Sequence, residues 1–442
     1  PSQAGANFNR RVVDTQRFAC CDSFIPFSEG PSLTIGTAQK THMTPRALNK
    51  AFLIAAGLSL FFFLTASRAL AECPNEVKPS TEDPLHMLVL GDSIMWGQGL
   101  KPEQKAWWRV KCWLQEKTGR EVRERIEAHS GAVIAAASRP PSRFRSNDGE
   151  VNLPFPTVNE ELDHAFEFYG PNRSKVNLVL VDGCINDIDV SNLLNAAAMP
   201  DGLREQISNR CGAGMHDLLR RVTDGFPSAY VIVTGYYRII SSSTADNAFI
   251  RLLVKKLNHE RPEARHMTDK EMRSRLIALS DLWYKVSTSS LSEAVSRVNT
   301  ELGQSSLPPR AMFIEIDFWP EHSFSASDTL LWNFMFGSTN LSGFRQVIIA
   351  LSLGTAAYKT NDDVRESRIK SCNETFKGPK EGKENEAEKR FRKESLLVCK
   401  YASLGHPNQM GALIYAEAIK GRLRWLIDQA GWKENDSSQS SR

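Results

Sequence analysis

Residues 86–100 read HMLVLGDSIMWGQGL, in which five mostly apolar residues, His86–Leu90, run straight into Gly91, Asp92 and Ser93. A short apolar run closed by glycine reads as a strand buried on both faces, and such strands belong to parallel sheets covered by helices. Ligands in open α/β sheets gather at the carboxyl ends of the strands. Ser93 stands at such an end.

The pattern repeats along the chain. Apolar runs at 176–182 (VNLVLVD), 229–234 (AYVIVT) and 311–317 (AMFIEID) read as further parallel strands, with a weaker one at 122–128. Helical stretches fall between them near 104–118, 157–168, 203–224 and 268–301, and a last one lies near 410–428. This alternation implies right-handed crossovers, hence an α/β fold with a doubly wound, mainly parallel five-stranded sheet flanked by helices. No internal repeat interrupts it.

The 442 residues are 41% hydrophobic and 24% charged, which is ordinary globular material. The formal charge of +4 is small for this length, and basic and acidic residues are mixed, so no nucleic-acid partner is implied.

The amino end differs. Residues 1–42 lack periodicity and are rich in Ser, Thr, Gly and Pro, so they read as disordered or as a non-native upstream segment. From Met43 onward, Arg46 and Lys50 precede AFLIAAGLSLFFFL, and Ala69-Leu70-Ala71 closes the stretch with small residues. That is the pattern of a secretory signal peptide over 43–71, and it places the mature protein outside the cytoplasm, secreted or periplasmic. The apolar core, about 14 residues, is short for a bilayer of about 30 Å. Residues 72–434 then form one domain with insertions at about 241–305 and 318–400, and 435–442 read as a disordered tail.

After residue 72 six cysteines remain, Cys73, Cys112, Cys184, Cys211, Cys372 and Cys399. An even count in an exported chain points to disulfides, and the spacing offers no metal site. Cys372 is expected to pair with Cys399, because the intervening KGPKEGKENEAEKRFRKE is too charged to be held by burial.

GDSIMWGQG, AHSGA at 128–132, GCIND at 183–187 and GHPNQMGA at 405–412 occur in the order of the four sequence blocks of the SGNH, or GDSL, hydrolases, and the chain resembles that family over most of residues 85–428. The resemblance implies a flavodoxin-like three-layer sandwich. It also implies Ser93 as nucleophile on an ester, Gly131 and Asn186 as lining of the oxyanion hole, and His406 as base. The residues suit those roles. A serine hydroxyl needs an adjacent base and a fixed approach, and a turn after a strand lifts Ser93 above the sheet with its own N–H facing the mouth of the next helix. Gly131 lets a second N–H approach closely, and the Asn186 amide follows a strong strand at the same rim. Asp92 is expected to cap or brace the turn, with Trp96 and Gln98 beside it. His406 sits in a turn-rich stretch before an amphipathic helix; His129 and His322 are its rivals.

Two positions depart from the family pattern. Cys184 stands where glycine is usual, with Gly183 one residue earlier, and Ser403 stands three residues before the histidine, where family members commonly carry aspartate. The aspartate of a triad chiefly holds the imidazole in its tautomer and orientation. The Ser403 carbonyl could do this for a Ser93–His406 dyad, with Asp362 or Asp363 as a more distant acid; on that account the Ser403 side chain is dispensable. The chemistry needs no cofactor or metal.

The expected activity is that of an exported esterase acting on a lipid acyl ester or an O-acetylated glycan. The alternative is a non-catalytic envelope protein that binds carbohydrate or lipid on the same fold. TLLWNFMFG at 329–337 and GFRQVIIALSLGTAAY at 343–358 read as core packing or as a lid over acyl chains, the latter bringing peripheral membrane contact.

Overall fold

Five strands form one sheet in the order β2-β1-β3-β4-β5, with every neighbouring pair parallel. They are β1 (Leu85–Leu90), β2 (Val122–Ile126), β3 (Val176–Val181), β4 (Tyr230–Thr234) and β5 (Ala311–Ile314). The computed structural model describes residues 73, 83–134, 149–259, 261–335, 359–379 and 384–432. The expected upstream segment, the signal peptide and the carboxyl tail lie outside the described residues, as does all of 343–358.

Apart from His86 and Asn177, each the second residue of its strand, β1 and β3 are buried along their length, as their Leu and Val content requires in the middle of a covered sheet. β2, VRERI, is one of the two edge strands, and its alternating charges explain its weak sequence signal. The chain leaves β1 for β2 on one side and returns to β3 on the other. The crevice above β1 and β3 is therefore a topological switch point, where open α/β sheets take their ligands.

Besides a single turn at Val190–Leu193, the α-helices among the described residues are α1 (Ser93–Trp96), α2 (Ala106–Thr118), α3 (Val158–Tyr169), α4 (Ile185–Ile188), α5 (Pro200–Ile207), α6 (Met215–Gly225), α7 (Ala248–Asn258), α8 (Asp269–Gln304), α9 (Arg365–Thr375), α10 (Glu386–Lys400) and α11 (Gln409–Gln429). Two begin with a full capping box, Thr157 with Glu160 for α3 and Thr268 with Glu271 for α8. A short π-helical turn, Ser208–Gly214, joins α5 to α6. α8, within the 241–305 stretch, turns Trp283 and Leu291 fully into the core.

Between β5 and α11 lie elements that sequence periodicity did not suggest: a two-residue pair, β6 (Phe334–Met335) with β7 (Lys359–Thr360), and the helices α9 and α10. The two helices are strongly polar and bury little beyond Arg368 and a small cluster in which Cys372, Phe376 and Cys399 meet Val151 and Leu153. A disulfide links Cys372 to Cys399 with Cα atoms 5.8 Å apart, supplying the cross-link expected from the charge of the segment between them. Cys73–Cys112 and Cys184–Cys211 are the other two bridges.

Candidate active site

The turn after β1 is built on buried carboxyls. Gly91 takes φ +132°, and its N–H donates to Glu161 Oε2 at 2.7 Å. A Cβ there would lie 2.1 Å from Asp182 Oδ1, so only glycine fits. The Asp92 N–H donates to Asp182 Oδ1 at 2.8 Å. The Asp92 side chain caps α1 by accepting from Ile94 N–H at 2.9 Å, and it also accepts from the Tyr236 hydroxyl at 2.7 Å. Burial pushes Asp92 up to about 6 against these two hydrogen bonds. Burial and neighbouring carboxyls likewise raise Asp182 and Glu161 above their ordinary values. Asp92 thus braces the turn that carries Ser93.

Ser93 opens α1, which is a single turn. So short a helix has little macrodipole, and its Ile94 and Met95 N–H groups are already taken, by Asp92 and Asp182. Ser93 Oγ lies 2.7 Å from His406 Nε2, across 313 residues of chain. His129 instead sets Nδ1 2.8 Å from the Ser130 carbonyl, and His322 Nδ1 accepts from Trp319 N–H at 3.1 Å. Neither rival hydrogen-bonds Ser93.

His406 is carried by a strap. Trp332 N–H donates to the His406 carbonyl at 2.7 Å, Gly405 N–H to the Trp332 carbonyl at 3.0 Å, and Asn408 N–H to the Leu330 carbonyl at 2.8 Å. The Tyr237 hydroxyl donates to the Gly405 carbonyl at 2.7 Å. Burial pushes the imidazole down to about 4, although the backbone at Leu404 and Ser403 favours its protonated form. The Ser403 carbonyl accepts the His406 backbone N–H at 3.0 Å, and Nδ1 is buried without a hydrogen-bond partner among the described residues.

The Ser403 side chain is engaged as well, donating to Asp362 Oδ2 at 2.8 Å. Asp363, the other distant acid, accepts from Gln409 Nε2 at 2.6 Å.

Gly131 and Asn186 are stitched together. Asn186 Nδ2 donates to the Ala132 carbonyl at 2.9 Å, and Ile134 N–H donates to Asp187 Oδ2 at 2.9 Å. A carboxamide carries two N–H groups, so one of Asn186 remains for a ligand. Gly131 takes φ +85°, and a Cβ there would lie 2.6 Å from the Leu153 carbonyl. The departure at 184 is accommodated in an unforeseen way. Gly183 has φ +151°, and Cys184 itself sits at +113°, a region that favours glycine, with its disulfide to Cys211 in the π-helical turn tying it down.

Trp96 and Gln98 join the turn to the rest of the rim. Trp96 Nε1 donates to Glu150 Oε1 at 3.1 Å, Gln98 Nε2 donates to Glu150 Oε2 at 2.5 Å, and the Ser130 hydroxyl donates to Gln98 Oε1. Among the described residues no group of three or more His, Cys, Asp or Glu is placed to hold a metal ion.

No protein-family model matches the chain, and no curated protein matches it. Solved structures similar to it include a lipase from a goat rumen metagenome (16% identity, 55% of this chain and 88% of that one, TM-score 0.33). They also include a phospholipase A1 from Streptomyces albidoflavus (14% identity, 58% and 91%, TM-score 0.33). A third is a carbohydrate esterase family 2 enzyme with a carbohydrate-binding domain from Myceliophthora fergusii (14% identity, 57% and 62%, TM-score 0.29).

Proposed function

We propose that this protein is an exported serine esterase of the SGNH type, working through Ser93 and His406. His406 Nε2 takes the Ser93 proton as Oγ attacks the ester carbonyl. The resulting oxyanion is met by the N–H groups of Ser93 and Gly131 and by the Asn186 amide. Collapse expels the alcohol, which leaves with the proton from His406, and a water deprotonated by the same ring hydrolyses the acyl-enzyme.

The observation that carries this reading is the 2.7 Å contact between Ser93 Oγ and a neutral, buried His406 at the switch point of the sheet. Three disulfides support export, since such bridges persist in oxidising compartments. The substrate is a lipid acyl ester or an O-acetyl group.

A fluorophosphonate probe tests the reading. It is expected to label the wild type and to leave Ser93→Ala and His406→Ala unlabelled. An unlabelled wild type would instead favour a binding protein, a reading that draws on the lack of a carboxylate at Nδ1. A series of p-nitrophenyl esters from acetate to laurate then separates the substrates, since a short-chain optimum excludes an acyl-chain site.

A further inference from the structure

Among the described residues the His406 ring makes its one hydrogen bond through Nε2, so the turn that bears it must supply the rest of its restraint. In this protein the turn Ser403–His406 is anchored from below. Ser403, fully buried, donates to Asp362 Oδ2 at 2.8 Å. Asp362 is in turn gripped by both ends of the Arg368 guanidinium, Nη1 to Oδ1 at 2.6 Å and Nη2 to Oδ2 at 2.7 Å, with both side chains excluded from solvent. Thr360 donates to the same carboxylate, and Arg368 Nη2 also donates to Thr360 Oγ1 at 3.0 Å. Burial works against the Asp362 anion, yet the Arg368 fork and the two hydroxyls outweigh it and hold the carboxyl below its ordinary value.

Burying a charged pair is expensive, and apolar residues of similar volume often serve stability as well or better. What a bidentate pair does supply is a fixed direction. We propose that the Asp362–Arg368 pair is the positioning group of this centre, setting the His406 ring through the Ser403 hydroxyl in place of an acid on Nδ1. The inference rests on the reaction proposed above. It replaces the expectation that the Ser403 side chain is dispensable.

The pair acts by position and not by net field. At His406 the two charges oppose each other, Asp362 favouring the ring proton and Arg368 disfavouring it. Removing the hydroxyl and removing the acid therefore have different signatures. Ser403→Ala leaves the ion pair intact but releases the turn. It is expected to lower kcat and the rate of fluorophosphonate labelling by about 10-fold to 100-fold, with KM and the acid limb of the pH profile in place. Asp362→Asn also lowers the rate, but leaves the Arg368 charge without its counterion, so the acid limb moves to lower pH. Glu150, the other carboxyl that feels Arg368, is retained in both variants.

The experiment measures labelling rate against pH, with kcat and KM, for the wild type, Ser403→Ala, Asp362→Asn and the double variant. Circular dichroism confirms folding. The double variant is expected to be no slower than the slower single one, because the two changes break one connection. Ser403→Ala alone decides the matter if Asp362→Asn fails to fold. Wild-type rates in Ser403→Ala overturn the positioning role and leave the esterase reading standing, whereas a wild type that does not label overturns both.

Discussion

The pH dependence of the serine's reactivity follows from the burial of one ring. An imidazole in water takes its proton near 6.5, but burial holds His406 down to about 4. That difference amounts to roughly 3 kcal/mol in favour of the neutral base. Lowering the pH is thus the perturbation, and about pH 5 is where the two cases part. A ring titrating at about 4 leaves about nine-tenths of the sites active there, whereas an ordinary ring leaves about one-thirtieth. The assay is the pseudo-first-order rate of fluorophosphonate labelling from about pH 8 down to about pH 4. It reads the free protein and needs no substrate of known identity.

Folding must be followed over the same range, because the buried groups pull stability in opposite directions. His406 is depressed, so its contribution is present above about 6.5 and is lost as pH falls toward 4. Asp92 and Glu150 are raised to about 6, so theirs is full below their unfolded values near 4 and is lost as pH rises through 6. Tryptophan fluorescence reports any unfolding. A labelling rate that halves between about pH 6 and pH 7 in a folded protein would refute the argument, since it would mean that the ring is solvated.

Three further outcomes are expected. Asn186→Ala should lower kcat by about 10² to 10³ with KM little changed; a loss confined to KM would place the amide on the ground-state substrate instead of the oxyanion. Tyr236→Phe removes the hydroxyl that donates to the buried Asp92 carboxyl at 2.7 Å, and should cost about 1–3 kcal/mol in urea denaturation. An unchanged midpoint would show that Asp92 Oδ2 finds another donor. With Cys211→Ser in both, Cys184→Gly should keep more activity than Cys184→Ala, because glycine accepts φ +113° without a tether. Equal activities would make the backbone at 184 irrelevant to Asn186.

Much of the fold was legible because buried parallel strands are written as unbroken apolar runs. VNLVLVD and AYVIVT needed no context, whereas VRERI was faint because an edge strand keeps charges toward solvent. The bracing of the Ser93 turn was legible at Asp92, a short-range cap two residues from the N–H it accepts. Its deeper support was not: Glu161 and Asp182 meet Gly91 and Asp92 from 70 and 90 residues away. A lone Glu within a helix carries no signal of burial. The same holds for Tyr237 and Trp332, which hold the His406 strap, and for Arg368, which reads as one more charge in a polar helix.

What the sequence by itself determined is local: which runs can be buried strands, where glycine must bend the chain, which hydroxyl and amide follow a strand, and which imidazole stands in a turn before a helix. These depend on residues within a turn or two of one another. That His406 closes to 2.7 Å on Ser93, and what steadies it there, was decided only by tertiary structure. A hydrogen bond across 313 residues depends on the whole sheet closing between its ends, and a buried ion pair has meaning only once water has been excluded from around it.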